Sequence, residues 1–169
     1  MITIRPEEPA DRGAAWVVNR AAFVGSPGEA DLVEALRKAG KVVLSLVAEV
    51  DGRVVGHALF THVSLGGPYP ASTALGLGPL AVLPGFQGQG VGSALVRAGL
   101  DACREAGFTS VFLLGAPAYY SRFGFLPARD FGVHFQNDRD AFQVVELVPG
   151  SLSDSNATLS FESEFGAVS

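Results

Sequence analysis

Short apolar runs with two different periods alternate along most of the chain. Ile2 and Ile4 alternate with Thr3 and Arg5, which predicts a short strand stopped by Pro6. Pro9 to Phe23 has helical spacing, with Pro9 and Asp11 near its start and Trp16, Val17 and Phe23 among its apolar positions. Gly25-Ser26-Pro27-Gly28 breaks that helix. Glu29 to Ala39 predicts a second, with Leu32, Ala35 and Leu36 on one face and Gly40 just past its end. Val42 to Val50 is apolar and β-branched, Asp51-Gly52 is a two-residue turn sequence, and Arg53 to Val63 reads as the return strand of a hairpin. Gly66 to Ser72 is a loop rich in Gly and Pro. Thr73 to Val82 follows as an extended segment whose glycines point to a bulge or a close backbone approach.

After Pro84 the period changes. Val91, Leu95, Ala98, Ala102 and Ala106 recur at helical spacing, so a helix begins within Gln87–Gly92 and runs toward Gly107. Thr109 to Leu114 reads as a buried strand, Tyr119 to Phe123 as a brief helix ended by Gly124, and Phe142 to Val148 as another strand. The order β-α-α-β-β-β-α-β-α-β predicts an α/β (mixed α+β) fold, a mixed sheet with helices on its faces. From Gly150 the chain turns to Ser, Asp, Asn and Thr. We therefore expect one domain over residues 2–149 and an extension over 150–169, in which Leu159, Phe161 and Phe165 alternate with polar residues as a last strand would. Asn156-Ala157-Thr158 fits a glycosylation sequon, a reading with almost no weight in a cytoplasmic chain.

Composition narrows the function classes. The chain has 169 residues, one domain's worth, and a core large enough to fold without staples. Its net charge of −5, with no Lys/Arg block, argues against a nucleic-acid partner. One cysteine, Cys103, rules out a disulfide framework and a cysteine metal site, and it reads as packing rather than nucleophile. His57, His62 and His134 show no zinc-enzyme spacing, so no metal is expected. The uncharged stretch from Val54 to Val96 is interrupted by Gly66-Gly67-Pro68, Pro70, Pro79 and Pro84, so it cannot give the roughly 20 helical residues of a membrane span. With early acidic residues and no apolar leader, the expected location is the cytoplasm.

The run Leu80-Ala81-Val82-Leu83-Pro84-Gly85-Phe86-Gln87-Gly88-Gln89-Gly90-Val91-Gly92-Ser93 carries the chemistry. A strand ends, a Gly-rich loop follows, and a helix starts inside the loop. Missing side chains at Gly88, Gly90 and Gly92 let backbone N–H groups approach one anion, and the helix N-terminus adds about half a positive charge behind them. Counting from Gly88 or Gly90, the sixth position is Ser93 or Leu95, so a dinucleotide fingerprint is not met; nor is there a Gly-Lys-Ser/Thr of a Walker loop. What remains is Gln-x-x-Gly-x-Gly.

Gln87 to Gly92 resembles the acyl-CoA pyrophosphate motif of the GNAT N-acetyltransferase superfamily, and the preceding Leu-Ala-Val-Leu-Pro resembles that family's strand before the loop. Tyr120-Ser121-Arg122-Phe123-Gly124-Phe125 resembles its Tyr-x-x-x-Gly-Phe. Leu114 to Tyr120 and Gly28 to Asp31 are similar to the bacterial YhbS-type branch. The resemblance implies a GNAT fold: a central, mainly antiparallel mixed sheet of six to seven strands flanked by about four helices. It implies acetyl-CoA as cosubstrate, held by Leu80, Ala81, Val82, Gln87, Gly88, Gln89, Gly90, Val91, Gly92, Ser93 and Tyr120. It also implies acyl transfer to a primary amine of a small molecule or a protein, with Tyr120 near the sulphur as proton donor. Two departures stand out: Gln87 replaces the more frequent arginine, and no asparagine occurs between Leu113 and Ala118.

The chemistry sets its own demands. A lysine-like amine is neutral in only about one molecule in 2,500 at pH 7, a handicap of roughly 4.6 kcal/mol. A base or water chain must offset it; Glu49 and His57, on the hairpin, are the candidates. In this fold the N–H of Val82 or Ala81 would face the carbonyl oxygen as it gains charge. Two functions fit these residues, a catalytic N-acyltransferase and a non-catalytic acyl-CoA-binding or sensor domain. Low charge and a strand after Gly150 leave room for a homodimer interface.

Overall fold

The computed structural model describes residues 1–26, 28–66, 73–136, 140–152 and 157–167. Pro27, most of the Gly66–Ser72 loop and Asn156 of the sequon lie outside them. Nine strands and four α-helices are described: β1 (Ile2–Pro6), α1 (Arg12–Ala22), α2 (Gly28–Lys38), β2 (Val42–Val50), β3 (Arg53–Leu65), β4 (Ala74–Val82), α3 (Val91–Glu105), β5 (Ser110–Leu114), α4 (Pro117–Tyr120), β6 (Leu126–Pro127), β7 (Val133–His134), β8 (Phe142–Glu146) and β9 (Ala157–Phe161). β4–β5 and β7–β9 pair in parallel, while β1–β2, β2–β3, β3–β9, β5–β8 and β6–β8 are antiparallel. The sheet is mixed, as the order of elements predicts, and mainly antiparallel, as the family resemblance implies. The chain forms two compact units, one of residues 1–61, 78–99 and 163–169, the other of residues 62–77 and 100–162.

In the first unit the strands lie in the order β1-β2-β3-β4. Asp51 (φ 51°) and Gly52 (φ 77°) are both left-handed, the geometry that a tight hairpin with right-twisted strands requires. A register shift between Ala48 and Glu49 leaves Val55 as a bulge, and its carbonyl accepts the N–H of Leu83 at 2.9 Å. α2 ends as expected at Gly40: the N–H of Gly40 meets the carbonyl of Arg37, and that of Lys41 meets Leu36 at 2.9 Å. Leu32, Val33 and Leu36 of α2 bury against Leu59 of β3, with Val42 and Phe165 closing over them. Leu36 and Leu59 are fully buried, each worth about 2 kcal/mol of burial.

Alternation along β3 sends the neighbouring side chains to the other face of the sheet, against α3. A Cβ on Gly56 would lie 2.9 Å from both Val91 and Leu95, and one on Gly99 only 2.4 Å from Phe60. Two glycines thus set how closely helix and strand meet. This corrects the predicted stripe of α3. Val91, Leu95, Val96, Leu100 and Cys103 are buried, whereas Ala98 and Ala102 are half-buried and Ala106 is exposed.

In the second unit, Ala74–Gly76 of β4 pairs with Ser110–Phe112 of β5, and β8 and β6 follow in order. The end of β3 pairs with β9, matching Val63 to Phe161, and β9 pairs with β7. Phe112 stacks on Phe142 at 5.7 Å, and Phe135 meets Phe161 edge-on at 5.0 Å. A Cβ on Gly76 would lie 3.0 Å from Val63 and 3.1 Å from Phe161, the close approach expected of a β4 glycine. Of the strand expected over Leu159, Phe161 and Phe165, the first two lie in β9, with Ala157 and Leu159 buried, whereas Phe165 lies in the 3-10 turn Ser163–Ala167. Among the described residues, no helix is long and apolar enough to cross a membrane.

Candidate active site

β4 ends at Val82, and Pro84–Phe86 makes one 3-10 turn before the loop Gln87–Gly90 enters α3. Gly88 (φ 73°) and Gly90 (φ 88°) are left-handed, while Gln87 (φ −72°) is not. Gln87 is extended, so the loop turns at its two glycines, and only glycine takes the left-handed places without strain. A Cβ at either glycine would meet nothing within 4 Å, so conformation rather than crowding demands glycine there. The helix ladder begins with Ala94 N–H on Gly90 O at 3.0 Å; Val91 and Gly92 lie ahead of it with no intrahelical acceptor. Gln87 donates to the carbonyl of Val82 at 3.0 Å and Gln89 to that of Gly85 at 3.2 Å. Both glutamines brace the loop. Leu80, Ala81 and Val82 lie on the last half of β4 with Ala81 buried, and Ser93 lies in the first turn of α3. The loop's chemistry fits a pyrophosphate: helix N–H groups ahead of the first ladder bond, and no carboxylate from Leu80 to Ser93.

Tyr120 belongs to the second unit. Pro117 starts α4, and Gly124 (φ 91°) ends the turn that follows. The Tyr120 ring lies on Gly115, where a Cβ would come within 2.5 Å of it. Phe125 meets the ring edge-on at 5.8 Å, and Tyr119 does so at 4.9 Å. Gly115 is fixed in turn: its N–H donates to Ala141 at 2.9 Å, and its carbonyl accepts from buried Gln143 at 3.1 Å. Burial, helped by Tyr119, pushes the Tyr120 hydroxyl up to about 12. The motif picked out Tyr120 but not its seat. Gly115 and Gln143 lie in separate segments with no shared spacing to flag them.

The two candidate bases take different places. Glu49 on β2 accepts from Arg5 Nε at 2.6 Å, while Arg5 also holds Asp11 at 2.7 and 2.9 Å. That guanidinium, with the Glu8 N–H, holds the Asp11 carboxyl down at about 2. Glu49 is a paired carboxylate at this edge of the sheet. His57 is fully buried, with Nδ1 3.1 Å from Asn19 Nδ2 and Nε2 2.8 Å from Ser45 Oγ. Ser45 donates onward to Glu7 at 2.8 Å, and Glu7 is clasped by both terminal nitrogens of Arg37. Because Ser45 spends its proton on Glu7, His57 is the neutral Nε2–H tautomer, donating to Ser45 and accepting from Asn19. Burial drives its pKa down to about 4. Burial also works to raise the Glu7 carboxyl, but Arg37 and Ser45 outweigh it and hold it low. In this conformation His57 offers no open face to an amine. Asn19, Ser45, Glu7 and Arg37 were not foreseen as its partners. Among the described residues, no three His, Cys, Asp or Glu side chains are placed to hold a metal.

Comparison with known proteins converges on one family. A profile of the acetyltransferase (GNAT) family matches residues 15–125. The uncharacterized N-acetyltransferase YhbS of Escherichia coli is 37% identical over 165 residues, covering 96% of this chain and 97% of that protein. A second Escherichia coli relative, the uncharacterized N-acetyltransferase YjhQ, is 43% identical over 105 residues, 61% of this chain and 58% of that protein. The crystal structure of YhbS in complex with CoA superposes with a TM-score of 0.92 at 36% identity, covering 98% of this chain and 92% of that one. A GNAT acetyltransferase from Brucella melitensis, in complex with acetyl-CoA, gives 0.81 at 36% identity, covering 98% of each chain. A matched family profile over more than half its length, and YhbS along nearly all of it, place this chain in the GNAT acetyltransferase family.

Proposed function

We propose that the protein is an acyl-CoA-dependent N-acyltransferase that moves an acetyl group from acetyl-CoA to a primary amine. The observation that carries this reading is the Gln87–Gly92 loop: two left-handed glycines leading into helix N–H groups that lie ahead of the first α3 ladder bond. Relatives crystallised with CoA and acetyl-CoA support it. Acetyl-CoA supplies the activated acyl group as a thioester. Gln87, Gly88, Gln89, Gly90, Val91, Gly92 and Ser93 bind its phosphates through the main chain, and Leu80, Ala81 and Val82 present strand N–H groups to the pantetheine and to the carbonyl oxygen. Tyr120 holds a proton for the departing sulphur.

The acid role has a stated condition. With its pKa near 12, Tyr120 is a weaker acid than an ordinary thiol near 8.5, so the transfer would run uphill by about 5 kcal/mol. Desolvation acts on sulphur as strongly: buried Cys103 is pushed up to about 12. Tyr120 therefore works as an acid where the leaving thiolate is equally dry. Neither foreseen base stands free: Glu49 is paired to Arg5, and His57 is sealed inside. This favours an acceptor of modest basicity, such as an α-amine near pKa 8, deprotonated through water. The same observation supports the other reading, an acyl-CoA sensor without turnover.

Thiol release measured over a broad amine panel decides between them. The enzyme reading predicts amine-dependent CoA release from acetyl-CoA. CoA binding with no release across the panel supports the sensor, and absence of CoA binding refutes both.

A further inference from the structure

The candidate phosphate loop carries no cation of its own. From Leu80 to Gly92 there is no Lys or Arg, and both glutamines of the loop are turned back onto backbone carbonyls. Main-chain dipoles alone would then face the several negative charges of coenzyme A.

Three contacts within the first unit place the start of β3 beside that loop. The bulged Val55 accepts the N–H of Leu83 at 2.9 Å. Gly56 lies under Val91 and Leu95, and Phe60 under Gly99, so α3 and β3 run in the same sense. Stepping back along β3 from Gly56 to Arg53, about 10 Å at strand rise, leads off the N-terminal end of α3 into the space before its first turn. There the Arg53 guanidinium sits 5.6 Å from the ring centroid of Phe86, the residue before Gln87. Arg53 is exposed, and among the described residues the structure gives it no carboxylate partner. Stacking on an aromatic face restrains the long side chain while leaving its N–H fork available to an anion.

We propose that Arg53 is the counter-cation for the phosphates of coenzyme A, supplied from the hairpin in place of an arginine in the loop. This rests on the acyl-CoA reading of the Gln87–Gly92 loop. A guanidinium can grip phosphate in a bidentate fork, a geometry that no side chain of the loop offers. Arg53 is then a cofactor-binding residue on an element that the loop motif does not include.

Calorimetric titration of the full chain with CoA, at low and at moderate salt, tests this with the parent, Arg53→Gln and Arg53→Lys. The expected result is about tenfold weaker binding in Arg53→Gln, partial recovery in Arg53→Lys, and a shallower salt dependence in Arg53→Gln. Repeating the titration with 3′-dephospho-CoA locates the charge. A penalty that disappears puts Arg53 on the 3′-phosphate, one that persists puts it on the pyrophosphate, and both support a phosphate partner. Parent-like affinity in Arg53→Gln, or weakening with an unchanged salt slope, overturns the proposal while leaving the loop reading intact. If the parent binds no CoA, the loop reading itself fails.

Discussion

Neutral inside the fold and ordinary outside it, His57 ties stability to acid. Its folded pKa near 4 lies below the unfolded value near 6.5, so the folded state refuses a proton that the unfolded state takes. The stability this contributes is fully present above pH 6.5 and is lost as pH falls from 6.5 to 4, about 3 kcal/mol in all. Urea midpoints measured from pH 7.5 to pH 4.5 should fall steeply in the parent and more gently in His57→Gln; parallel curves would contradict the assignment. Tyr120 titrates the other way. With its pKa raised to about 12, it predicts no alkaline limb in kcat below about pH 10.5. Tyr120→Phe should lower kcat by about a hundredfold with CoA affinity unchanged. At this scale the sequence is informative only where a residue type is bound to a conformation. Gly88 and Gly90 announce left-handed turns, and Asp51-Gly52 announces a hairpin. Glu7, Asn19, Arg37 and Ser45 announce nothing, because each belongs to a different element and the network that joins them has no period.

Elements were legible where their apolar pattern was their own. The β2–β3 hairpin and α2 with its Gly40 stop follow from local signals, since turn and cap chemistry act within a few residues, whereas α1 buries Ala15 and Val18 and leaves the expected Trp16 and Val17 exposed. The face of α3 was misjudged for a tertiary reason. It meets Phe60 of β3 through Gly99, where a Cβ would not fit and which a count of apolar side chains passes over, and the buried stripe runs through Val96, Leu100 and Cys103. Gly99→Ala forces a Cβ to within 2.4 Å of Phe60 and should cost roughly 1–3 kcal/mol, read as a lower midpoint in urea. Gly115→Ala acts on chemistry instead. It displaces the Tyr120 ring from its seat, so kcat should drop about tenfold while CoA affinity holds. Equal loss of both would mean that Gly115 serves the fold rather than the tyrosine.

At the scale of the molecule, the order of strands and helices and a mixed sheet follow from the sequence and its mainly antiparallel character from the family resemblance, whereas β6 and β7 follow from neither. Two-residue strands such as Leu126–Pro127 and Val133–His134 have no room to show a period, and only pairing with β8 and β9 defines them. The central proposal is that the Gln87–Gly92 loop takes the phosphates of CoA, on grounds of chemistry, conformation and family together. A crystal structure of the protein with CoA tests it most directly. The account predicts pyrophosphate oxygens within about 3 Å of N–H groups between Gly88 and Ser93, a normal hydrogen-bond distance. CoA bound elsewhere, with that loop empty or folded shut, would contradict it.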